Sequence, residues 1–189
     1  MGVGIERTAL EDVLIVRPER FADDRGFFVE LFRSDAWAAA GLPSSFVQVN
    51  QSRSRAGVIR GLHFQWDPPQ GKLMRVVRGR AFCVAVDIRP GSPTLGRWVG
   101  ETLSADEPVL IWAPAPYARG FCALEDGTDV EYLVTGTYNP AAESGIRWDD
   151  PRVGIAWPVA NPLLSAKDAA AQPLDAWLGR PEAAAFAVR

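Results

Sequence analysis

The chain has 189 residues with 48% hydrophobic and 10% aromatic content, enough to bury a sizeable core and too much for a disordered protein. Lys and Arg number 20 against 23 Asp and Glu. That balance argues against broad nucleic-acid or membrane-surface binding, and it leaves room for a small anionic ligand held by local arginines.

The N-terminal MGVGIERTALEDV lacks the basic region and apolar core of a signal peptide. Glu6 stands where a myristoylation motif wants Ser or Thr. No apolar run is long enough to cross a bilayer, so a soluble, cytoplasmic protein without membrane partners is expected. Short strands rich in β-branched and aromatic residues follow: 13–18, 27–32, 46–52, 58–65, 73–79, 81–89, 97–104, 109–114, 121–126 and 130–138. Turn signals at 89–96 (RPGSPTLG), 113–117 (APAPY) and 125–129 (EDGTD) separate several of them. Cys83 and Cys122, both in apolar stretches, read as reduced, buried thiols. Two brief helices are predicted. One is 34–41 (SDAWAAAG), with Ser34 as N-cap and Gly41 at C′. The other begins at Ser165 in SAKDAAAQ. About ten strands and few helices predict an all-β antiparallel sandwich or barrel, a jelly roll being one solution. Residues 1–189 read as one domain, with an alanine-rich, peripheral tail from about 174.

His63 in RGLHFQ is the one histidine of the chain. Alone it makes no metal site, but a neutral imidazole accepts a proton near pH 7. Gly57, His63, Lys72 and Gly79 form a frame that resembles the first motif of the cupin jelly roll: glycine, H-x-H, an acid and a closing glycine. Gln65 stands at the second histidine and Lys72 at the acid. Arg119, in PAPYARGF, aligns with the later ligand histidine. Cationic side chains repel a metal ion and carboxamides bind transition metals weakly, so the scaffold reads as metal-free and opposes a metal-dependent oxygenase.

FADDRGFFVE, QVNQSRSRAGVIRGLHFQ, PPQGKLMRVVRG, VAVDIRPGSPTLGRW, TYNPAAESGIRWDDPRVGIAWP and LSAKD together resemble the dTDP-4-dehydrorhamnose 3,5-epimerase family, in family order over most of 21–168. The resemblance implies a cupin-type jelly-roll homodimer, without cofactor, acting on a dTDP-linked 4-keto-6-deoxy sugar at C3, C5 or both. A non-catalytic binder of sugar nucleotides is the rival expectation.

Epimerisation beside a ketone needs a base on one face, an acid on the other, and positive charge near the enolate oxygen. His63 suits the base and Lys72 the oxyanion. The resemblance makes Asp168 the histidine's partner and Tyr138 the acid of the opposite face. It also implies that Arg25 and Arg60 contact phosphate, with Gln48 and Asn50 beside them, and that Phe21, Phe28 and Glu30 belong to the base-binding region. Without the resemblance, Ser165 to Asp168 reads as a helix capping box, Tyr138 as a strand-end aromatic, Lys72 as an exposed turn lysine, and Phe27 and Phe28 as core. Strict alternation from His63 puts Arg60 on the opposite sheet face unless Gly61 introduces a bulge. Arg119 departs from the family, which usually has histidine there; its longer fork is expected to contact the substrate at the sugar oxygens or the diphosphate, and it leaves open whether both centres are inverted.

Overall fold

Alternation of side chains along a strand decides which strands are buried on one face and which on two. In the computed structural model, which describes residues 2–188, the strands are β1 (Val3–Arg7), β2 (Leu14–Pro18), β3 (Arg20–Asp23), β4 (Gly26–Val29), β5 (Gln48–Ser54), β6 (Ile59–Gln65), β7 (Lys72–Arg78), β8 (Arg80–Asp87), β9 (Trp98–Ser104), β10 (Leu110–Ala113), β11 (Tyr117–Ala123), β12 (Thr128–Val134) and β13 (Glu143–Gly145). Three short helices, α1 (Ser34–Ala39), α2 (Ala166–Ala169) and α3 (Leu174–Leu178), and a 3-10 helix (Pro181–Phe186) complete the chain. A six-stranded antiparallel sheet runs β1-β2-β10-β7-β12-β5, and a five-stranded one runs β13-β6-β11-β8-β9. A separate hairpin pairs β3 with β4. The fold is the all-β, antiparallel jelly roll expected from the sequence.

Both sheets are covered on both sides. Along β10, Ile111 and Ala113 enter the core between the sheets, while Leu110 and Trp112 pack on Trp37 of α1 outside the six-stranded sheet. Along β8, Ala81, Cys83 and Ala85 face the inner core, and Val84 and Val86, with Ile88 just after the strand, face an outer cluster. That outer cluster is closed by Leu174, Trp177, Ala183 and Phe186. The C-terminal segment is therefore not peripheral. Trp177 is fully buried, with its ring centroid 4.4 Å from that of Phe64, and Asp150 accepts the Leu174 N–H at 2.7 Å. Both cysteines are buried and free.

Three strands absent from the sequence expectation, β1, β3 and β13, are short and held by backbone pairing along sheet edges or in the hairpin. Their side chains carry little apolar periodicity. Ser34 is not the N-cap of α1: Arg33 occupies that place, and Ser34 is the first helical residue. Asp35 supplies the acceptor instead, taking the Ala36 N–H at 2.7 Å. At the other end Gly41, with φ +75°, sits at C′. The Gly41 and Leu42 N–H groups donate to Ala38 and Trp37, the Schellman arrangement.

One irregularity shapes the site. Arg119 of β11 pairs with His63 of β6, and Phe121 with Arg60, so β6 carries an extra residue over this interval. Gly61 (φ +109°) and Gly120 make the close approach possible. A Cβ on Gly61 would lie 2.6 Å from the Arg119 carbonyl oxygen, and one on Gly120 would lie 2.7 Å from that of Arg60. The bulge cancels the alternation that would have separated Arg60 from His63.

Trp177→Ala should cost about 3–5 kcal/mol, the usual range for emptying an aromatic core position. Urea unfolding measures it, and a loss below about 1 kcal/mol would return the tail to the periphery.

Candidate active site

A pocket opens between the two sheets. Ser52 of β5, Lys72 and Met74 of β7 and Tyr132 of β12 line it from the six-stranded side. Arg60 and His63 of β6 and Arg119 of β11 line it from the other, and Lys167 and Asp168 at α2 close one end. Each side chain projects from a paired strand or a capped helix, so the backbone ladder fixes its position.

His63 Nε2 lies 2.6 Å from Asp168 Oδ1. The other oxygen, Oδ2, accepts from Ser165 Oγ at 2.9 Å, and Ser165 Oγ in turn accepts the Asp168 N–H at 3.1 Å. Ser165 is thus the N-cap of α2 while the Asp168 carboxylate turns to the histidine. Burial by itself raises the pKa of Asp168, but bonds from His63, Ser165 and the Gly61 N–H outweigh it and hold the group below the usual carboxylate range. An ionised Asp168 accepts only, so Nε2 carries the hydrogen and Nδ1 keeps the lone pair. That is the tautomer of a general base.

Lys72 is half-buried, with Nζ 5.2 Å from the centroid of the Tyr132 ring. Desolvation, and next the charge of Arg119, bring its pKa down to about 7, against the opposing pull of Glu143. Lys72 is therefore no exposed turn lysine. Arg119 is 3% exposed. Its Nη1 donates to the Pro114, Ala115 and Tyr117 carbonyls and its Nη2 to the Gln70 carbonyl at 2.6 Å. Arg60 donates from Nε to Ser54 Oγ and from Nη2 to the Arg53 carbonyl, both at 3.0 Å.

The remaining expected residues fall outside this cluster. Tyr138 lies in the loop after β12, is 54% exposed and does not line the pocket. Its hydroxyl donates to Glu143 Oε2 at 3.1 Å, and the same oxygen accepts from Lys167 Nζ at 2.6 Å. Gln48 and Asn50, bonded to each other at 2.8 Å, continue along β5 on the face that carries Ser52. Phe21, Arg25 and Phe28 lie on the β3–β4 hairpin, away from His63. Arg25 pairs with Asp23 at 2.6 Å, Phe28 is 60% exposed, and Phe27 is exposed as well, so neither is a core residue of this chain. Glu30 pairs with Arg33 at 3.6 Å.

The tyrosine that shares the pocket with His63 is Tyr132. Sequence reasoning passed over it because VEYLV reads as an apolar strand. Its signal is alternation with Val130 and Val134, which puts all three on the inward face. Ser52, Met74, Glu143 and Lys167 were also missed, being unremarkable in type. Among the described residues no group of three or more His, Cys, Asp and Glu converges to hold a metal ion.

Because the folded-state pKa of Asp168 lies below its ordinary value, its ionised form contributes stability above the unfolded carboxylate range. That contribution is lost as pH falls through the folded pKa. Unfolding free energy measured by urea from about pH 6 to about pH 3 should fall less steeply in Asp168→Asn than in the parent. Equal slopes would show that His63 and Ser165 do not hold the carboxylate down.

The family model described as dTDP-4-dehydrorhamnose 3,5-epimerase matches residues 7–176. A dTDP-4-dehydrorhamnose 3,5-epimerase from Neisseria gonorrhoeae is 51% identical over 86% of this chain, which spans half the length of that relative. The crystal structure of a dTDP-6-deoxy-D-glucose-3,5-epimerase from Legionella pneumophila, in complex with dTDP-4-keto-L-rhamnose, aligns with a TM-score of 0.90 at 42% identity, covering 96% of both chains. A 3′-monoepimerase from Streptomyces bikiniensis, solved with dTDP as a double mutant of one histidine and one tyrosine, aligns with a TM-score of 0.85 at 34% identity over 90% of this chain and 87% of that one. The spacing of its two replaced residues matches His63 to Tyr132 within a single position and misses Tyr138 by several. On this sequence match and this shared fold, the chain belongs to the dTDP-4-dehydrorhamnose 3,5-epimerase family.

Proposed function

We propose that the protein epimerises a dTDP-linked 4-keto-6-deoxyhexose at C3, C5 or both, through an enolate and without a cofactor. The carrying observation is a histidine oriented by a buried carboxylate, sharing one pocket with a tyrosine, a buried arginine and a half-buried lysine.

His63 Nδ1 takes the proton from the carbon beside the ketone, and the bonding electrons move to the ketone oxygen. Asp168 stabilises the imidazolium that results. Lys72 and Arg119 bring positive charge to the side where the oxyanion forms. Tyr132 supplies a proton from its hydroxyl to the carbon on the opposite face, the role expected of Tyr138. Solvent then takes the proton from His63 and restores the one on Tyr132. Arg60, with Nε and Nη2 committed to Ser54 and the Arg53 carbonyl, keeps Nη1 for a phosphate oxygen. Gln48 and Asn50 lead from the pocket along β5 and suit hydrogen bonds to the nucleotide.

A homodimer accounts for the hairpin. Phe21, Phe27 and Phe28 are all exposed on it, an apolar surface that a second copy would cover. Arg25 and Glu30 belong to the same reading, since neither meets the pocket of its own chain. Among the described residues no helix is long and apolar enough to cross a membrane. Residence in the cytoplasm agrees with the buried free thiols. Inversion at C3 alone is the second reading, favoured by the similarity to the 3′-monoepimerase.

Incubation with the 4-keto sugar nucleotide in D₂O, followed by NMR, should place deuterium at C3, C5 or both. Tight binding with no exchange would favour a non-catalytic binder. His63→Ala should lower exchange by about 10²–10⁴-fold, the usual worth of a general base. Tyr132→Phe should reduce net inversion more than exchange, because the base survives and the acid does not. If Tyr138→Phe shows that pattern and Tyr132→Phe does not, the acid is Tyr138.

A further inference from the structure

Arg119 carries a full charge into the interior with no carboxylate beside it. Its Nη atoms are spent on four backbone carbonyls, and among the described residues no acidic group lies within ion-pair distance. Its Nε–H is buried without a partner in a side chain that lines the pocket. An unmet donor in a desolvated guanidinium costs stability unless something else accepts from it. Arg119 also stands in register opposite His63 on the neighbouring strand, next to where that histidine would release an anion.

Lys72, half-buried, is the second cation of the pocket, and it too has no ion pair among the described residues. The groups around it are Arg60 and His63 from β6, Arg119 from β11, Tyr132 from β12, Lys167 and Asp168 from α2, and Glu143 from β13. Cations outnumber carboxylates in this ring, and the two carboxylates are engaged, Asp168 with His63 and Glu143 with Lys167. The two cations differ in one respect. A guanidinium stays protonated at neutral pH even where burial lowers it, and an amine does not.

Building on the epimerase reading, we propose that Arg119 is the permanent cation of the pocket, its Nε–H held for the enolate oxygen, and that Lys72 beside it carries a proton. When His63 has removed the carbon-bound proton, the Lys72 ammonium donates one proton to the enolate oxygen, giving an enol and a neutral amine. As Tyr132 protonates the carbon and the ketone re-forms, the hydroxyl proton returns to Lys72. No other reactant is needed. The depressed pKa of Lys72, about 7, agrees with this division, since a donor works best with a pKa near the operating pH.

The chain has two lysines, Lys72 and Lys167, so NMR of protein labelled with ¹³C at lysine Cε gives two signals, assigned with Lys167→Arg. The Lys72 signal should titrate with a midpoint near 7, and Arg119→Gln should move that midpoint upward. A Lys72 signal that stays fully protonated to pH 9, or a midpoint indifferent to Arg119→Gln, overturns the proposal.

Arg119→Gln should also lower deuterium exchange into the sugar by about 10²–10³-fold, the usual effect of losing one oxyanion donor, while dTDP binds as before. Equal weakening of dTDP binding would make Nε a phosphate contact and overturn the enolate assignment. Where loss of the carbonyl cage unfolds Arg119→Gln, Lys72→Arg decides. It keeps the charge but cannot give up the proton, so exchange should collapse with dTDP affinity retained, and near-parental exchange refutes the carrier role. Absence of exchange in the parent protein sinks the epimerase reading and leaves the lysine titration standing as a separate result.

Discussion

The site depends on one extra residue. Between Arg60 and His63, β6 is a residue longer than the stretch of β11 it pairs with, and two glycines let the strands close over the difference. Without it, a period of two would turn Arg60 away from the pocket that His63 enters. With it, the anchored guanidinium and the oriented imidazole share one cavity, and Arg119 comes into register beside the histidine. A β-bulge is a small device, and here Arg60 and His63 owe their common face to it.

Around that arrangement the pocket is built with more positive than negative charge. Arg60, Lys72, Arg119 and Lys167 face Asp168 and Glu143. Both carboxylates are tied to cationic or proton-bearing partners, His63 and Lys167 respectively. What remains uncompensated is cationic, which suits the diphosphate and the enolate of the proposed reaction. Preorganisation explains how the charges are tolerated. Four carbonyls hold Arg119, and Ser54 with the Arg53 carbonyl holds Arg60, so little reorganisation remains when the substrate's own charge appears.

The scaffold earns its rigidity from two-sided burial. β8 and β10 are buried on both faces because α1 covers one sheet and the C-terminal segment covers the other. Trp37 and Trp177 fill those outer layers and are fully buried. Strands that cannot tilt without disturbing two cores hold their side chains in register, which a site built from both sheets requires.

Local patterns in the sequence were sufficient for the fold class, most of the strands and Gly41 at C′ of α1, while the family resemblance grouped His63, Lys72 and Asp168, which do line one pocket. These rest on interactions near in sequence or on motifs whose spacing survives in the chain. The short edge strands were illegible because backbone pairing, not side-chain pattern, holds them. The C-terminal segment read as peripheral because alanine-rich composition hides the one tryptophan that anchors it. The tyrosine was the sharpest case. Tyr138 and Tyr132 lie on either side of a strand end, and the short alternation of Tyr132 with Val130 and Val134 does not by itself say which tyrosine enters the pocket. Pairing of β12 with β7 and β5 decides it, placing Tyr132 inward opposite Met74 and Asn50 and leaving Tyr138 in a loop. Residue type and spacing determined which chemistry the chain can do. Only strand register, a property of two segments far apart in the chain, decided which side chains meet to do it.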